Sequence, residues 1–309
     1  MATTRLPTTS HGTNREAFSV GDWGLFLSLA LIWGGSFLFM AIGLDAFHPG
    51  LVTLIRVAFG ASFLALIPRT RSVKIEREDW GRIVTLATVW VAIPFTLFPI
   101  AQQWIDSAVA GMLNGATPIF TALLATFLLR SLPGPMQIAG LMIGFGGILA
   151  IALPSAGGGT TAVIGVILVV VATIGYAVSL NMVPPLQQRY GSLALMARVE
   201  WVALAMVTPF GLVGIGDSSF AWPSLFAVTA VGLLGTGLAF VLMGTLTGRV
   251  GATRASFLTY LIPVVALILG VAFRDELISP IAILGVGLVI LGAFLASRRE
   301  TRRIERSAA

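Results

Sequence analysis

Ten runs of apolar residues, separated by short polar breaks, make up most of the chain. They fall at 23–44, 49–68, 83–104, 107–129, 135–154, 161–183, 192–214, 223–246, 252–273 and 280–297. A helix needs ~20 residues to cross the hydrocarbon of a bilayer, and each run is near that length. None alternates apolar and polar positions as a barrel strand does. A backbone in lipid must satisfy its own hydrogen bonds, so the runs predict helices. Pro135 and Pro280 stand in the first turn of their runs, where a missing N–H breaks no helical bond. The expected fold class is an all-α integral membrane protein with ten transmembrane helices.

Composition agrees. Of 309 residues, 57% are hydrophobic and 10% charged, with a mean hydropathy of +0.96. Soluble domains carry roughly 25% charged residues, so a soluble enzyme is excluded. There is no cysteine, hence no disulfide, thiolate metal site or cysteine nucleophile. Two histidines, His11 and His48, make no metal cluster. No Walker A motif surrounds the lone lysine, Lys74. Gly214-Ile215-Gly216-Asp217 matches an intramembrane protease pattern, but Asp217 falls in a loop and no span holds a second aspartate. Neither an enzyme nor a cofactor is expected. The net charge of +6 would suggest nucleic acid in a soluble chain, but here the basic residues lie in loops and tails.

With the N-terminus inside, the inner segments hold Arg5, Arg15, Arg69, Arg71, Lys74, Arg77, Arg82, Arg130, Arg189, Arg249, Arg254, Arg298, Arg299, Arg302, Arg303 and Arg306, while the outer loops hold Arg274 alone. That bias places both termini in the cytoplasm and the protein in the cytoplasmic membrane. Residues 1–22 are polar, so no cleaved secretory signal is expected. The sequence also repeats. At a shift of 145, Pro118 falls on Pro263, Pro135 on Pro280, Gly140 on Gly285, Gly147 on Gly292 and Phe95 on Phe240; at 142, Arg56 falls on Arg198. Each half holds five spans, an odd number, so the second enters the membrane upside down. The expected organisation is a tail (1–22), a first repeat (23–154), a second repeat (161–297) and a basic tail (298–309). Inverted repeats are common in secondary transporters, whose sites lie at mid-membrane between the halves.

Three stretches carry a family resemblance: LIWGGSFLFMAIGL (31–44) with HPGLVTLIRVAFGA (48–61), GMLNGATPIFTALLATFLL (111–129), and GTGLAFVLMGTLTGRVGATRASFLTYLIPVVALILG (235–270) followed by DELISPIAILGVGLVILG (275–292). Over about 22–297 the chain resembles the EamA family of the drug/metabolite transporter superfamily. The resemblance implies a ten-helix bundle that moves small metabolites by alternating access, often exporting amino acids, with lipid and a small-molecule substrate as partners. Proton coupling and a homo-oligomer stay open. An importer of a vitamin or other small metabolite is one alternative; a non-transporting membrane enzyme or scaffold is another. The family often has an acid after the fourth span; here Arg130-Ser131 stands there, and Glu276 follows the ninth.

Arg56, Arg198 and Glu200 are the charged residues that fall well inside spans. A charge at mid-helix costs about 3 kcal/mol on insertion scales. For both arginines two readings stand: a clamp for an anion, or a side chain snorkelling to hold helix-end carbonyls. Glu200 is a candidate for proton coupling or for binding an ammonium, against a bond to another helix. Pro118 and Pro263 suggest a broken helix lined by Asn114, Thr117, Thr121, Thr259 and Tyr260, or a packing kink satisfied by those threonines. Trp33, Ser36, Trp90, Tyr176 and Phe240 complete the candidate cavity, with Gln102, Gln103, Asn181 and Trp201 behind them.

Overall fold

The computed structural model describes residues 19–128, 134–156, 159–250, 255 and 257–297. The basic tail, Arg5, Arg15, Arg130 and Arg254 lie outside them. The described residues are helical: α1 (Val20–Leu44), α2 (Pro49–Ala65), α3 (Arg77–Ala101), α4 (Ser107–Asn114), α5 (Thr117–Leu128), α6 (Pro135–Ala156), α7 (Thr160–Tyr190), α8 (Ser192–Val213), α9 (Trp222–Val250), α10 (Ile262–Arg274) and α11 (Pro280–Ser297). Seven stretches are long and apolar enough to cross a membrane, α4 and α5 counting as one; α2, Leu258–Arg274 and Pro280–Ala296 are shorter apolar helices. Together they stand where the ten runs were read.

Local chemistry sets the ends. The Ser19 hydroxyl accepts from the Asp22 N–H while the Asp22 carboxylate accepts from Ser19, a capping box that starts α1 three residues before the apolar run. The His48 imidazole caps α2 through the Gly50 N–H, and Pro49 fills the first turn. α7 runs seven residues past its apolar run, with Leu186 and Tyr190 still buried. It stops at Gly191, whose φ of 77° is a left-handed conformation natural to glycine, and α8 begins at the next residue.

Helices from the two halves meet antiparallel. In α4 and α10, from the fourth and ninth apolar runs, Ala108 faces Gly270, Gly111 faces Ala266 and Gly115 faces Pro263, so the two helices run antiparallel. In α6 and α11, Gly140 lies against Gly292 and Ala296, while Gly147 lies against Gly285 and Val289. In α2 and α8, His48 faces Gly214 and Leu54 faces Gly211. Three contacts between non-equivalent helices also have a partner with the halves exchanged: α1 on α10 answers α7 on α5, α2 on α9 answers α8 on α3, and α1 on α9 answers α7 on α3. The glycine seam of α6 and α11 forms the most extensive helix pair. Without side chains at these positions the backbones nearly touch, the close approach that holds helices together in lipid.

The loops sort to two ends. Asp45, Gln103 and Asp217 line one groove of about 540 Å³, and Asp45 pairs with Arg274 at 2.6 Å at that end. At the other, Asp22 pairs with Arg249 at 2.8 Å, and Arg189 pairs with Glu76 and, at 2.7 Å, with Asp79. The two groups lie at opposite ends of the bundle.

Candidate functional site

Two departures from α geometry lie at repeat-related places. Residues Ala87–Ala92 of α3 and Val231–Leu238 of α9 form π turns, in which the Ile93 N–H reaches Thr88 and the Ala239 N–H reaches Leu234. In α3 the cause is Pro94, which has no N–H and crowds the carbonyl four residues back. In α9 no proline stands there. Gly232, Gly235 and Gly237 leave a bare surface against which Arg56, Phe59 and Phe63 of α2 and Ser36 of α1 press. Such turns free carbonyls and are frequent at functional sites. The Gly235 carbonyl takes the indole N–H of Trp33 at 2.9 Å, joining the halves. The Phe95 carbonyl, left free by Pro99, takes the Thr53 hydroxyl at 2.9 Å.

The proline pair also lies at breaks. α4 ends at Asn114 and α5 begins at Thr117; a short 3₁₀ turn, Phe257–Tyr260, precedes α10. Pro118 and Pro263 therefore open a new segment rather than kink a continuous one. The Thr117 hydroxyl donates to the Asn114 carbonyl at 2.8 Å, the group that Pro118 leaves free, and the Thr121 hydroxyl donates to Thr117 at 2.8 Å. Both hydroxyls are thus engaged with backbone. The Asn114 amide oxygen is buried with no partner. Thr259 and Tyr260 lie half-buried at the second break.

Between the π turns sits the buried charge. The Arg56 guanidinium lies over the Phe95 ring at 3.5 Å, with Met40 Sδ at 3.3 Å and Thr236 Oγ1 at 3.4 Å. Ring face, thioether and hydroxyl are all neutral. Glu200 on α8 is fully buried, and neither carboxyl oxygen has a hydrogen-bond partner. The two residues make no ion pair within 4.0 Å, yet Arg56, Glu200 and Tyr176 are near enough for their charges to interact. Aromatic rings of the candidate residues contact one another: Trp33 and Trp90 meet Phe240 edge-on at 6.4 and 5.8 Å, and Phe98 stacks on Tyr176 at 5.9 Å. Trp33, Trp90 and Tyr176 keep some accessible surface.

Other candidates lie elsewhere. Arg198 binds the carbonyls of Thr70 and, at 3.0 Å, Val73, both in the α2–α3 loop, so the snorkelling reading describes it and it stands apart from the Arg56 group. The Ser36 hydroxyl donates to Ile32 in its own helix while facing Gly235. Asn181 ties α7 to the Thr121 carbonyl at 3.3 Å. Trp201 is half exposed.

Sequence reasoning missed the closures at the two ends. Asp79 is buried, accepting from Tyr190 Oη at 2.7 Å, Arg189 at 2.7 Å and Arg82 at 3.0 Å. At the opposite end the Glu276 carboxylate reaches across the halves to cap α4, accepting from the Ser107 N–H at 2.9 Å, its hydroxyl at 2.6 Å and the Ala108 N–H at 2.8 Å. Asp106 holds the N-cap position without a capping bond. Burial, and then the nearby Glu276 charge, hold its carboxyl above the usual range. A raised carboxyl pKa favours the fold below the ordinary carboxyl range, and that contribution is lost as pH rises through the folded value. Asp106→Asn is therefore expected to raise Tm slightly at neutral pH and not at acid pH. Glu276→Ala is expected to cost about 1–2 kcal/mol through the lost cap, read by thermal unfolding in detergent.

The sequence model described as the EamA-like transporter family matches residues 22–153 and 163–298. A probable terminal-alkyne amino-acid exporter of Streptantibioticus cattleyicolor is 25% identical over 286 residues, covering 91% of this chain and 94% of that one. A probable amino-acid metabolite efflux pump of Escherichia coli is 23% identical over 287 residues, covering 89% and 94%. A crystal structure with 21% identity superposes with a TM-score of 0.60 over 91% of this chain and 97% of its own.

Proposed function

Since the chain belongs to the EamA-like transporter family and is a membrane transporter rather than an enzyme, we propose that it exports amino acids or closely related compounds across the cytoplasmic membrane by alternating access. The observation that carries this reading is the Arg56–Glu200 group: ionisable groups of opposite sign, buried on helices from the two halves and not ion-paired with each other within 4.0 Å. A buried charge with only neutral neighbours is costly, so a purely structural protein has no reason to keep two groups of opposite sign apart. The amino-acid names of the two relatives point the same way. Glu200 is the proposed proton site. With no donor beside it, its carboxyl carries charge at high cost unless a proton or a cation occupies it. Exchange of one for the other couples substrate exit to proton entry.

Counterflow in proteoliposomes tests this. Internal unlabelled amino acid is expected to accelerate uptake of the labelled compound, saturably. A linear, unstimulated flux would indicate a channel and overturn the reading. The absence of native cysteine permits a topology test. Single cysteines at positions 45 and 217 are expected to react with an impermeant reagent from outside intact cells, and those at 74 and 300 only after permeabilisation.

A further inference from the structure

We infer that Arg56 and Glu200 form one dipolar receptor for a free α-amino acid, the guanidinium taking the carboxylate and the Glu200 carboxylate taking the protonated amine. The inference rests on the functional reading above and narrows it to how the ligand is recognised.

The spacing is the main argument. An arginine placed to neutralise a glutamate closes on it as a bidentate pair. Here α2 and α8 pack directly together, both side chains are buried, and still no N–O distance falls within 4.0 Å. What stands next to each group is neutral: Met40, Thr236 and the Phe95 face beside Arg56, and no donor at all on Glu200. The titratable groups whose charge reaches Glu200 are Arg56 of α2 and Tyr176 of α7. The ionisable residues of α3 and α9, the other long helices packed on α8, lie at their loop ends.

A ligand carrying both charges compensates both residues at once. A ligand carrying only one leaves the other residue buried and unpaired, and such sites reject the incomplete analogue. The Phe95 face under Arg56 and the nearby Tyr176 ring offer aromatic surface to an apolar side chain. Because α2 and α8 come from different halves, the bound zwitterion would also bridge them.

The test uses the full chain in proteoliposomes. The twenty standard L-amino acids are screened by counterflow, and the best is compared with its desamino acid and its decarboxylated amine as competitors. Each analogue is expected to compete at least about tenfold more weakly than the amino acid, the effect of one lost charged hydrogen bond. In Glu200→Gln the preference over the desamino acid should shrink to within about twofold, while preference over the amine persists; Arg56→Gln should give the reverse. A merely structural role would not produce that reciprocal pattern. Should either variant fail to fold, by size exclusion, the wild-type comparison decides alone. Analogues competing as well as the amino acid would overturn the receptor while leaving amino-acid export intact. If another metabolite exchanges but no amino acid does, the functional reading itself falls.

Discussion

Glu200→Gln is expected to remove proton-driven efflux while leaving the protein at least as stable as the wild type. The amide keeps the shape of the side chain but can neither release a proton nor hold an ammonium by charge. In liposomes with an imposed pH gradient, the wild type should move its substrate against a concentration difference and the variant should not. Exchange at equal pH should survive, with apparent affinity weakened by roughly one to two orders of magnitude, as expected for a lost charge-assisted bond of about 1.5–3 kcal/mol. Stability separates this account from a structural one. Breaking a satisfied buried ion pair costs about 3–5 kcal/mol. Glu200 accepts no bond, so nothing of that size is there to lose. A sharp fall in Tm for Glu200→Gln would mean that the carboxyl holds the bundle together.

The second large effect concerns the seam of α6 and α11. Gly292→Leu is expected to leave little or no folded protein. A Cβ at position 292 would lie 2.6 Å from the Gly140 carbonyl oxygen and 2.6 Å from the Gly144 Cα, both backbone atoms that cannot rotate away. The helices would have to separate, losing contact along most of their length. Overpacking alone costs about 1–3 kcal/mol where side chains can shift, and here they cannot. Gly287→Leu is the control: a Cβ there meets nothing within 4 Å, and the residue is exposed. The variant at 287 should purify as a single species and the one at 292 should aggregate. Equal behaviour of the two would contradict the seam.

Much of this architecture is legible in the sequence, because lipid imposes a simple rule on which residues form a span and the repeat copies the rule twice. The matched prolines at 118 and 263 mark real interruptions. What hydropathy does not carry is the direction of a side chain. Arg56 and Arg198 are equally deep counted from their respective faces, yet one turns into the Phe95–Thr236 group and the other reaches the loop carbonyls at Thr70 and Val73. The π turns escape notice because their causes differ, Pro94 in one half and a glycine cluster in the other. Asp22, Asp79 and Glu276 read as loop charges, since their partners Arg249, Tyr190 with Arg189, and Ser107 lie more than a hundred residues away in the chain.

The central claim is that the Arg56–Glu200 group occupies a space open to each side of the membrane in turn. Ser36→Cys probes it with little disturbance, because Ser36 faces Gly235 beside the Trp33 bond and the chain has no other cysteine. Oriented membrane vesicles of both polarities would be treated with an impermeant thiol reagent, with and without a transported amino acid. The account predicts labelling from both sides, slowed by substrate in each case. Labelling from one side only, or at a rate that substrate does not change, would contradict it.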